Sequence, residues 1–350
     1  MDDAVYKKLA KALDSLPNGF PATETGLEIK ILKKIFTPEE AELFCDLKLQ
    51  LESAEQISRR TGRPLEGMEE KLTTMWQKGE IWGQRTNGVL SFKMIPFIIG
   101  IYEFQLNRMD REFCELLEEY KMHLGPHLVG YAPSIMQVLP IEKFISQGQK
   151  ALPYQQTSNI IENGKSFMVN ECICKKEKGI MDKPCKKSTE VCLGISSEEG
   201  FWNDHPFGGR ALSKEQAYDL LEETEKAGLV HLSNNFQSGH WFICNCCGCS
   251  CPVLQAVQMG IPNVINSSYY ARIDPDLCES CGVCLEERCQ VNAIQEEEQI
   301  YSVIEERCIG CGLCISTCPT EAIQMIRKAE EEIKQPPVDE MAWFEERAQQ

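Results

Sequence analysis

Apolar positions recur at helical spacing through the first third of the chain. Leu43, Phe44, Leu47 and Leu51 follow Thr37-Pro38-Glu39-Glu40, which reads as an N-cap, a proline in the first turn and acidic groups matching the helix dipole. Ser53 caps a short helix over 54–60 that Gly62 ends. Pro64 opens a third, carrying Leu65, Met68, Leu72, Met75 and Trp76. The period then drops to 2: residues 81–85 and 89–92 read as strands joined through Thr86-Asn87-Gly88, a hairpin turn. A longer helix is predicted over 110–124, with Phe113, Leu116, Leu117 and Tyr120 on one face. Pro126, Gly130 and Pro133 then punctuate a linker.

Further on, 166–169 reads as a strand running into Glu171-Cys172-Ile173-Cys174, and alternation places both cysteines on one strand face. Ser213 caps a helix over 214–226 that Gly228 terminates. A hairpin is predicted from 229–233 and 240–244, turning at Gln237-Ser238-Gly239. A charged helix over 328–334 stops at Pro336-Pro337 and leads to a short helical tail. There Trp343 and Phe344 would dock on the chain itself or on a partner. The expected class is multidomain α+β, with units at 1–125 (helical), 126–270 (cysteine-rich), 271–330 and 331–350 (tail).

Charge and cysteine content narrow the chemistry. The formal net charge is −17, from 36 basic and 53 acidic residues, which disfavours nucleic acid and anionic membrane. Nineteen cysteines in a chain whose start lacks a basic-then-apolar leader point to metal and redox chemistry rather than a disulfide framework. The longest apolar stretch, 94–104, is too short to span a bilayer and contains Pro96 and Gly100. A cytoplasmic protein of an anaerobe is expected. Cys45 and Cys114 stand alone and read as buried small apolar residues.

The other cysteines are patterned. Cys278-x2-Cys281-x2-Cys284-x4-Cys289 is repeated as Cys308-x2-Cys311-x2-Cys314-x3-Cys318-Pro319, with the first three positions 30 residues apart in each case. Zinc sites use paired Cys-x2-Cys rather than triple runs, and a duplicated triple argues against disulfides. The segment resembles the bacterial two-cluster 4Fe–4S ferredoxins over roughly 271–327. In that family the last cysteine of each run serves the other cluster. The resemblance therefore implies one cluster on Cys278, Cys281, Cys284 and Cys318, and a second on Cys308, Cys311, Cys314 and Cys289. Gly282, Gly310 and Gly312 suit close approach of backbone to cluster, and Ala293-Ile294 and Ala322-Ile323 would lid them. The first copy departs from the family, with x4 and Gln290 in place of x3 and proline.

Two more groups lie upstream. Cys172, Cys174, Cys185 and Cys192 read as four thiols for a third iron–sulfur cluster or a zinc ion. Lys175, Lys176, Lys178, Lys183, Lys186 and Lys187 around them would offset thiolate charge. Cys244, Cys246, Cys247, Cys249 and Cys251 crowd five thiols into eight residues, costly to keep as idle, oxidisable groups. Cys244 and Cys246 share a strand face, and Gly248 permits a turn returning Cys249 and Cys251. This group reads as a fourth cluster, an unusual metal centre, a site shared with Cys172 and Cys174, or a thiol–disulfide couple. His205, His231 and His240 would ligate, relay protons or serve as ordinary polar residues.

The order helix, helix, helix, hairpin near the start resembles a winged-helix domain. The third helix carries Glu66, Glu69 and Glu70, and residues 1–100 hold 14 basic and 15 acidic groups, so docking to a partner outweighs DNA contact. The whole chain resembles a group of anaerobe proteins combining such an N-terminus, Cys-x-Cys motifs and a C-terminal two-cluster ferredoxin. An electron-transfer carrier or oxidoreductase subunit, docking on a redox partner with a basic patch, ranks first. A redox enzyme working at Cys244–Cys251 and a redox-sensing transcription regulator follow. No phosphate loop or Gly-x-Gly-x-x-Gly between strand and helix argues for a nucleotide or flavin.

Overall fold

Helix α1 (Ala4–Asp14) buries Leu9 and Leu13 against α2 (Leu27–Ile35) and α3 (Pro38–Phe44). Thr37 caps α3 reciprocally with Glu40, as the sequence predicts. The structure is a computed structural model and describes residues 3–86, 88–145, 153–203 and 205–348. Strand β1 (Glu52–Ser53) leads into α4 (Ala54–Thr61), where Ser53 and Gln56 form a second capping box and Gly62, at φ 76°, ends the helix. The third helix starts later than the pattern suggests: α5 runs Met68–Gln77. Gly67 sits left-handed at φ 71°, so the turn from Pro64 cannot be helical, and Leu65 is 48% exposed rather than inward. Strands β2 (Trp82–Thr86) and β3 (Val89–Lys93) complete a small antiparallel sheet ordered β1-β3-β2. Asn87, at the expected turn, lies outside the described residues.

The chain then makes a tight π-type turn over Phe97–Ile101, with Ile99 at φ 55°. A β-branched residue rarely takes that conformation. Two side chains hold the turn: Asn18 Nδ2 donates to the Ile98 carbonyl (2.8 Å), and Glu103 accepts from Gly100 N (2.7 Å). Helix α6 (Arg111–Val129), capped by Asp110, carries the chain through Pro126 and past the expected boundary at 125–126. Among the described residues no helix is long and apolar enough to cross a membrane.

The centre is one seven-stranded sheet. Its strands are β4 (Met136–Val138), β5 (Ser166–Glu171), β6 (Glu190–Ser196), β7 (Arg210–Leu212), β8 (Val230–Asn234), β9 (Phe242–Cys246) and β10 (Ile265–Asn266). They lie in the order β10-β4-β8-β9-β6-β5-β7, antiparallel throughout except for β10 on β4. Helix α7 (Thr157–Asn163) precedes β5, α8 (Ile173–Ile180) follows it at once, and α9 (Lys214–Lys226) sits between β7 and β8. Side chains alternate across the sheet. Leu193, Ile195 and Ile243 pack with Ala217 and Leu221 of α9, while Phe242 and Cys246 turn to the opposite face.

That opposite face receives the C-terminal part of the chain. Helix α10 (Pro252–Gln258) leads to ribbon strands β11 (Tyr269–Ile273), β12 (Ile294–Glu297), β13 (Ile300–Val303) and β14 (Ile323–Arg327), paired β11–β14 and β12–β13. No helix forms over 328–334. Lys328 N donates to the Ser268 carbonyl, extending the ribbon, and only a 3-10 turn at Glu330–Glu332 follows. Helix α11 (Glu340–Ala348) docks on the chain itself; residues 349–350 lie outside the described residues. Trp343 and Phe344 are buried, each worth about 1.5–3 kcal/mol. Arg347 is 1% exposed and donates to the carbonyls of Pro17, Leu128, Tyr131 and Pro133.

Candidate metal centres

In the duplicated C-terminal segment, Cys278, Cys281, Cys284 and Cys318 line one cavity, closed by Ile273, Ile323, Val283 and Pro319. Cys289 lies instead with Cys308, Cys311 and Cys314, close enough for charge on one to be felt by the others. Backbone donors face the sulfurs: Ala271 N reaches Cys308 Sγ at 3.3 Å and Ala293 N reaches Cys289 Sγ at 3.1 Å. Gly310 has φ 60°, and a Cβ there would fall 2.3 Å from the Tyr269 carbonyl oxygen. Ser280, its counterpart in the first copy, takes φ 55°. Four converging thiols, backbone N–H groups on sulfur and tight loops with residues at positive φ fit a thiolate-ligated cluster.

The two copies differ at their fourth cysteine, and the structure shows how. In the second copy a 3-10 turn over Ile315–Thr317 delivers Cys318, with Cys318 N bonded to the Ile315 carbonyl. In the first copy the extra residue is absorbed as a π turn over Cys284–Arg288, with Cys289 N bonded to the Cys284 carbonyl. The inserted turn buries Arg288, whose guanidinium donates to the Leu313, Lys226 and Glu225 carbonyls and to Ser316 Oγ. Gln290, standing where the family has proline, accepts from Gly248 N at 3.0 Å, and its own carbonyl accepts from Gln258 Nε2. The departures from the family pattern are thus the joints between this segment and the central sheet.

The upstream thiols regroup. Cys185 does not sit with Cys172, Cys174 and Cys192. It meets Cys247 (3.5 Å) and Cys249 (3.4 Å), which are 3.1 Å apart, in a group able to hold a metal ion. Lys187 N donates to Cys185 Sγ. Cys172 and Cys174 are not on a strand: β5 ends at Glu171, Cys172 is the N-cap of α8 and Cys174 lies in its first turn. The five thiols of 244–251 split accordingly. Cys247, buried, and Cys249, exposed, join Cys185, while Cys244, Cys246 and Cys251 lie nearer Cys172, Cys174 and Cys192.

The other six thiols lie close enough for charge on one to be felt by another. Cys172 neighbours Cys174, Cys192 neighbours Cys244, Cys244 neighbours Cys246, and Cys246 neighbours Cys251. Cys172 also feels charge on Cys244, Cys192 feels Cys172, and Cys174 feels Cys251. Cys192 and Cys244 are register partners on β6 and β9. The N-terminal unit covers the group, with Ile173 buried in its core and Cys174 packed against it. Tyr102 donates to Glu177, which pairs with Lys121.

Burial governs the electrostatics. It pushes the Cys284 thiol up to about 11 and Cys311 up to about 12, so each thiolate needs a cation to form. Metal binding at such groups displaces protons and weakens in acid. Burial also raises Glu103 to about 7, with charge on Cys244 adding to the effect. The lysines expected to offset thiolate charge are partly engaged elsewhere: Lys176 pairs with Glu171, Lys178 with Glu118, and Lys187 Nζ donates to the Ala227 and Gly228 carbonyls. Lys175, 2% exposed, donates to the Ser188 carbonyl.

The histidines do not join these thiols. His231 bonds Asn245 Oδ1 (2.6 Å), His240 bonds Ser233, and His205 stands among Trp76, Trp82 and Phe201. Cys114 is buried, and Cys45 donates to the Ala41 carbonyl. Sequence reasoning missed Glu103 and Arg288, and met Gln290 only as a departure from the family pattern. The last two were signalled by the extra residue and the absent proline.

A family model of the 4Fe–4S dicluster domain matches residues 271–325. An uncharacterized ferredoxin of Methanocaldococcus jannaschii is 41% identical over 56 residues, covering 16% of this chain and 34% of its own. The chain therefore spans about a third of that relative's length. No solved structure matches. Residues 271–325 are a 4Fe–4S dicluster domain, which implies two 4Fe–4S clusters and electron transfer in general.

Proposed function

We propose that the chain is an iron–sulfur electron-transfer protein, a carrier or oxidoreductase subunit that conducts single electrons between its dicluster domain and the thiol groups of the central sheet. One observation carries this reading. Cys289, Cys308 and Cys311 pack against the same apolar core that contains Cys246 and Cys251. Bound clusters supply one-electron carriers whose potentials follow charge, hydrogen bonding and exposure. The residues supply the path: Cys281 is exposed, Cys314 is buried, and Gln290 ties the dicluster domain to the turn holding Cys247 and Cys249.

In this reading the net charge of −17 selects a partner with a basic docking patch, and association weakens with salt. The thiol load suits a reducing, cytoplasmic setting. The N-terminal unit is winged-helix-like and serves docking rather than DNA. Of its clustered basic residues Arg59, Arg60 and Arg63, Arg60 is paired with Glu52 (2.5 Å) and Arg63 with Asp46 (2.5 Å), and β2 lies against the central domain through Trp82 on Phe201.

A second reading, a redox enzyme, has its own observation. A cavity of about 220 Å³ walled by Trp82, Phe104, Phe201 and Trp241 opens where Ile195 and Trp241 stand. Ile195 stands three positions along β6 from Cys192, and Trp241, just before β9, three residues ahead of Cys244, about 10 Å of strand in each case.

The test is freeze-quench EPR after mixing anaerobic protein with less than one electron equivalent of titanium(III) citrate. The conduction reading expects dicluster signals first and a further signal from the central thiols within the same transient. Cys172→Ser with Cys174→Ser should delete the later signal and spare the dicluster ones. Dicluster signals that disappear in that variant, or a wild type showing dicluster signals alone, would refute conduction.

A further inference from the structure

Cys185, Cys247 and Cys249 differ from the other cysteines in how close they come. Their Sγ atoms are 3.5, 3.4 and 3.1 Å from one another. These separations lie far above a sulfur–sulfur bond of about 2.05 Å. A disulfide would in any case use two of the three and leave the last crowded beside it. Among the described residues no other three thiols, imidazoles or carboxylates offer ligand atoms within 4.8 Å of one another, the dicluster cysteines included. That difference separates two kinds of centre. In a cubane each thiolate holds its own iron, so the sulfurs are spread around the cluster. On one tetrahedral ion, with metal–sulfur distances of about 2.3 Å, they come to about 3.8 Å of one another. The trio is near the second spacing, and the dicluster set has the wider one.

The fold builds this triangle. Cys192 of β6 pairs in register with Cys244 of β9, antiparallel, so the loop before β6 lies beside the turn after β9. The first carries Cys185 and the second Cys247 and Cys249. Gly248, between those two, has no room for a side chain: a Cβ would fall 2.3 Å from the Gln290 carbonyl oxygen, and Gly248 N donates to Gln290 Oε1 at 3.0 Å. Lys187 N donates to Cys185 Sγ at 3.4 Å, and Ser250 Oγ lies 3.6 Å from Cys249 Sγ. Such outer partners orient the ligands of a metal. Cys247 is buried and Cys249 exposed, so the triangle reaches the surface at one corner.

We propose that these three thiolates hold a single zinc ion, its fourth position open to an exchangeable ligand from solvent, and take no part in an iron–sulfur cluster. Structural zinc sites close with four protein ligands, whereas three protein ligands and an accessible fourth position make a site that exchanges its outer ligand. The inference goes beyond the electron-transfer reading and does not need it. Zinc has no redox chemistry, so electrons leaving the dicluster domain would pass to the remaining central thiols.

The experiment uses the full chain, assembled anaerobically with ferrous iron and sulfide and then given one equivalent of zinc. X-ray absorption at the zinc edge reads the site in the wild type without interference from iron. It should find three sulfurs at about 2.3 Å and one lighter atom. Cys185→Ser with Cys249→Ser should lose that zinc and keep the wild-type iron and sulfide content and the dicluster EPR signals. Four sulfurs around zinc would overturn the open position. A zinc-free wild type, zinc retained by the variant, or loss of about four irons with the dicluster signals kept would overturn the site. Should the variant lose its dicluster signals as well, the ligands counted in the wild type still decide. Conduction stands or falls separately, on the late signal in the freeze-quench experiment.

Discussion

The dicluster domain and the central sheet both gather cysteines, but by opposite routes. In the first, three of every four thiols come from one tight loop, and Gly310 and Gly312 set that loop's path by accepting φ of 60° and 86°. In the second, Cys192, Cys244 and Cys246 are set by sheet register, and Cys172 and Cys251 by the points at which helices begin. A site encoded in a loop is portable and can be duplicated. A site encoded in a sheet exists only once the whole domain has folded. The contrast predicts where damage stays local and where it spreads.

The largest effect should follow from closing the loop. Gly310→Ala would put a methyl group 2.3 Å from the Tyr269 carbonyl at positive φ, a clash that only backbone movement relieves. We expect a cost of roughly 4 kcal/mol or more and loss of iron from the site of Cys308, Cys311 and Cys314. Gly62→Ala, also left-handed but in open space, should cost about 1 kcal/mol and no iron. Thermal unfolding with iron analysis separates them. Equal costs would mean that the close approach of Gly310 to Tyr269 does not hold the loop's path.

The same distinction governs what the sequence made legible. Capping boxes at Thr37, Ser53 and Ser213 need only four residues each, and all three form. The duplicated cysteine run needs about forty, and it too was readable. The partner of Cys185 was not, because Cys247 and Cys249 lie more than 60 residues away and spacing says nothing about register. Cys172 and Cys174 misled for a local reason: two positions apart is a strand face, but it is also an N-cap and a first turn. The helix from Asp110 could be read from its periodic apolar residues; the run from Lys328, expected to be helical, lacked them, and no helix forms there.

The joint between the two regions offers a sharper test. Arg288 exists because of the inserted π turn, and its guanidinium binds the last carbonyls of α9 as well as Leu313 in the facing loop. Arg288→Met would leave those buried acceptors unpaired, at roughly 2–4 kcal/mol. Hydrogen exchange should quicken at Gly228 and Leu229 as well as near Ser316, reporting both sides of the joint. Arg288→Lys should recover only part, since an ammonium cannot span a fork of acceptors. Exchange confined to the dicluster side would show that the domains fold independently and that the insertion merely fills space.

The smallest effect probes the far edge of the central sheet, where the N-terminal unit leans on it without any shared metal group. His205 is packed among Trp76, Trp82, Phe201 and Trp202, and burial pushes it down from 6.5 to about 3. Below pH 6.5 the unfolded chain takes up a proton that the folded chain refuses, so stability present above that pH is lost as pH falls toward 3. Between pH 7 and 5.5 this one side chain should account for about 1 kcal/mol of lost stability. His205→Leu should remove that portion of the slope. Urea unfolding of both proteins at the two pH values, followed by tryptophan fluorescence, gives the difference. Parallel slopes would mean that His205 is wetted in the folded protein and that this contact is looser than the thiol-bearing face, whereas a flattened slope in the variant would make it as tight as any other part of the core.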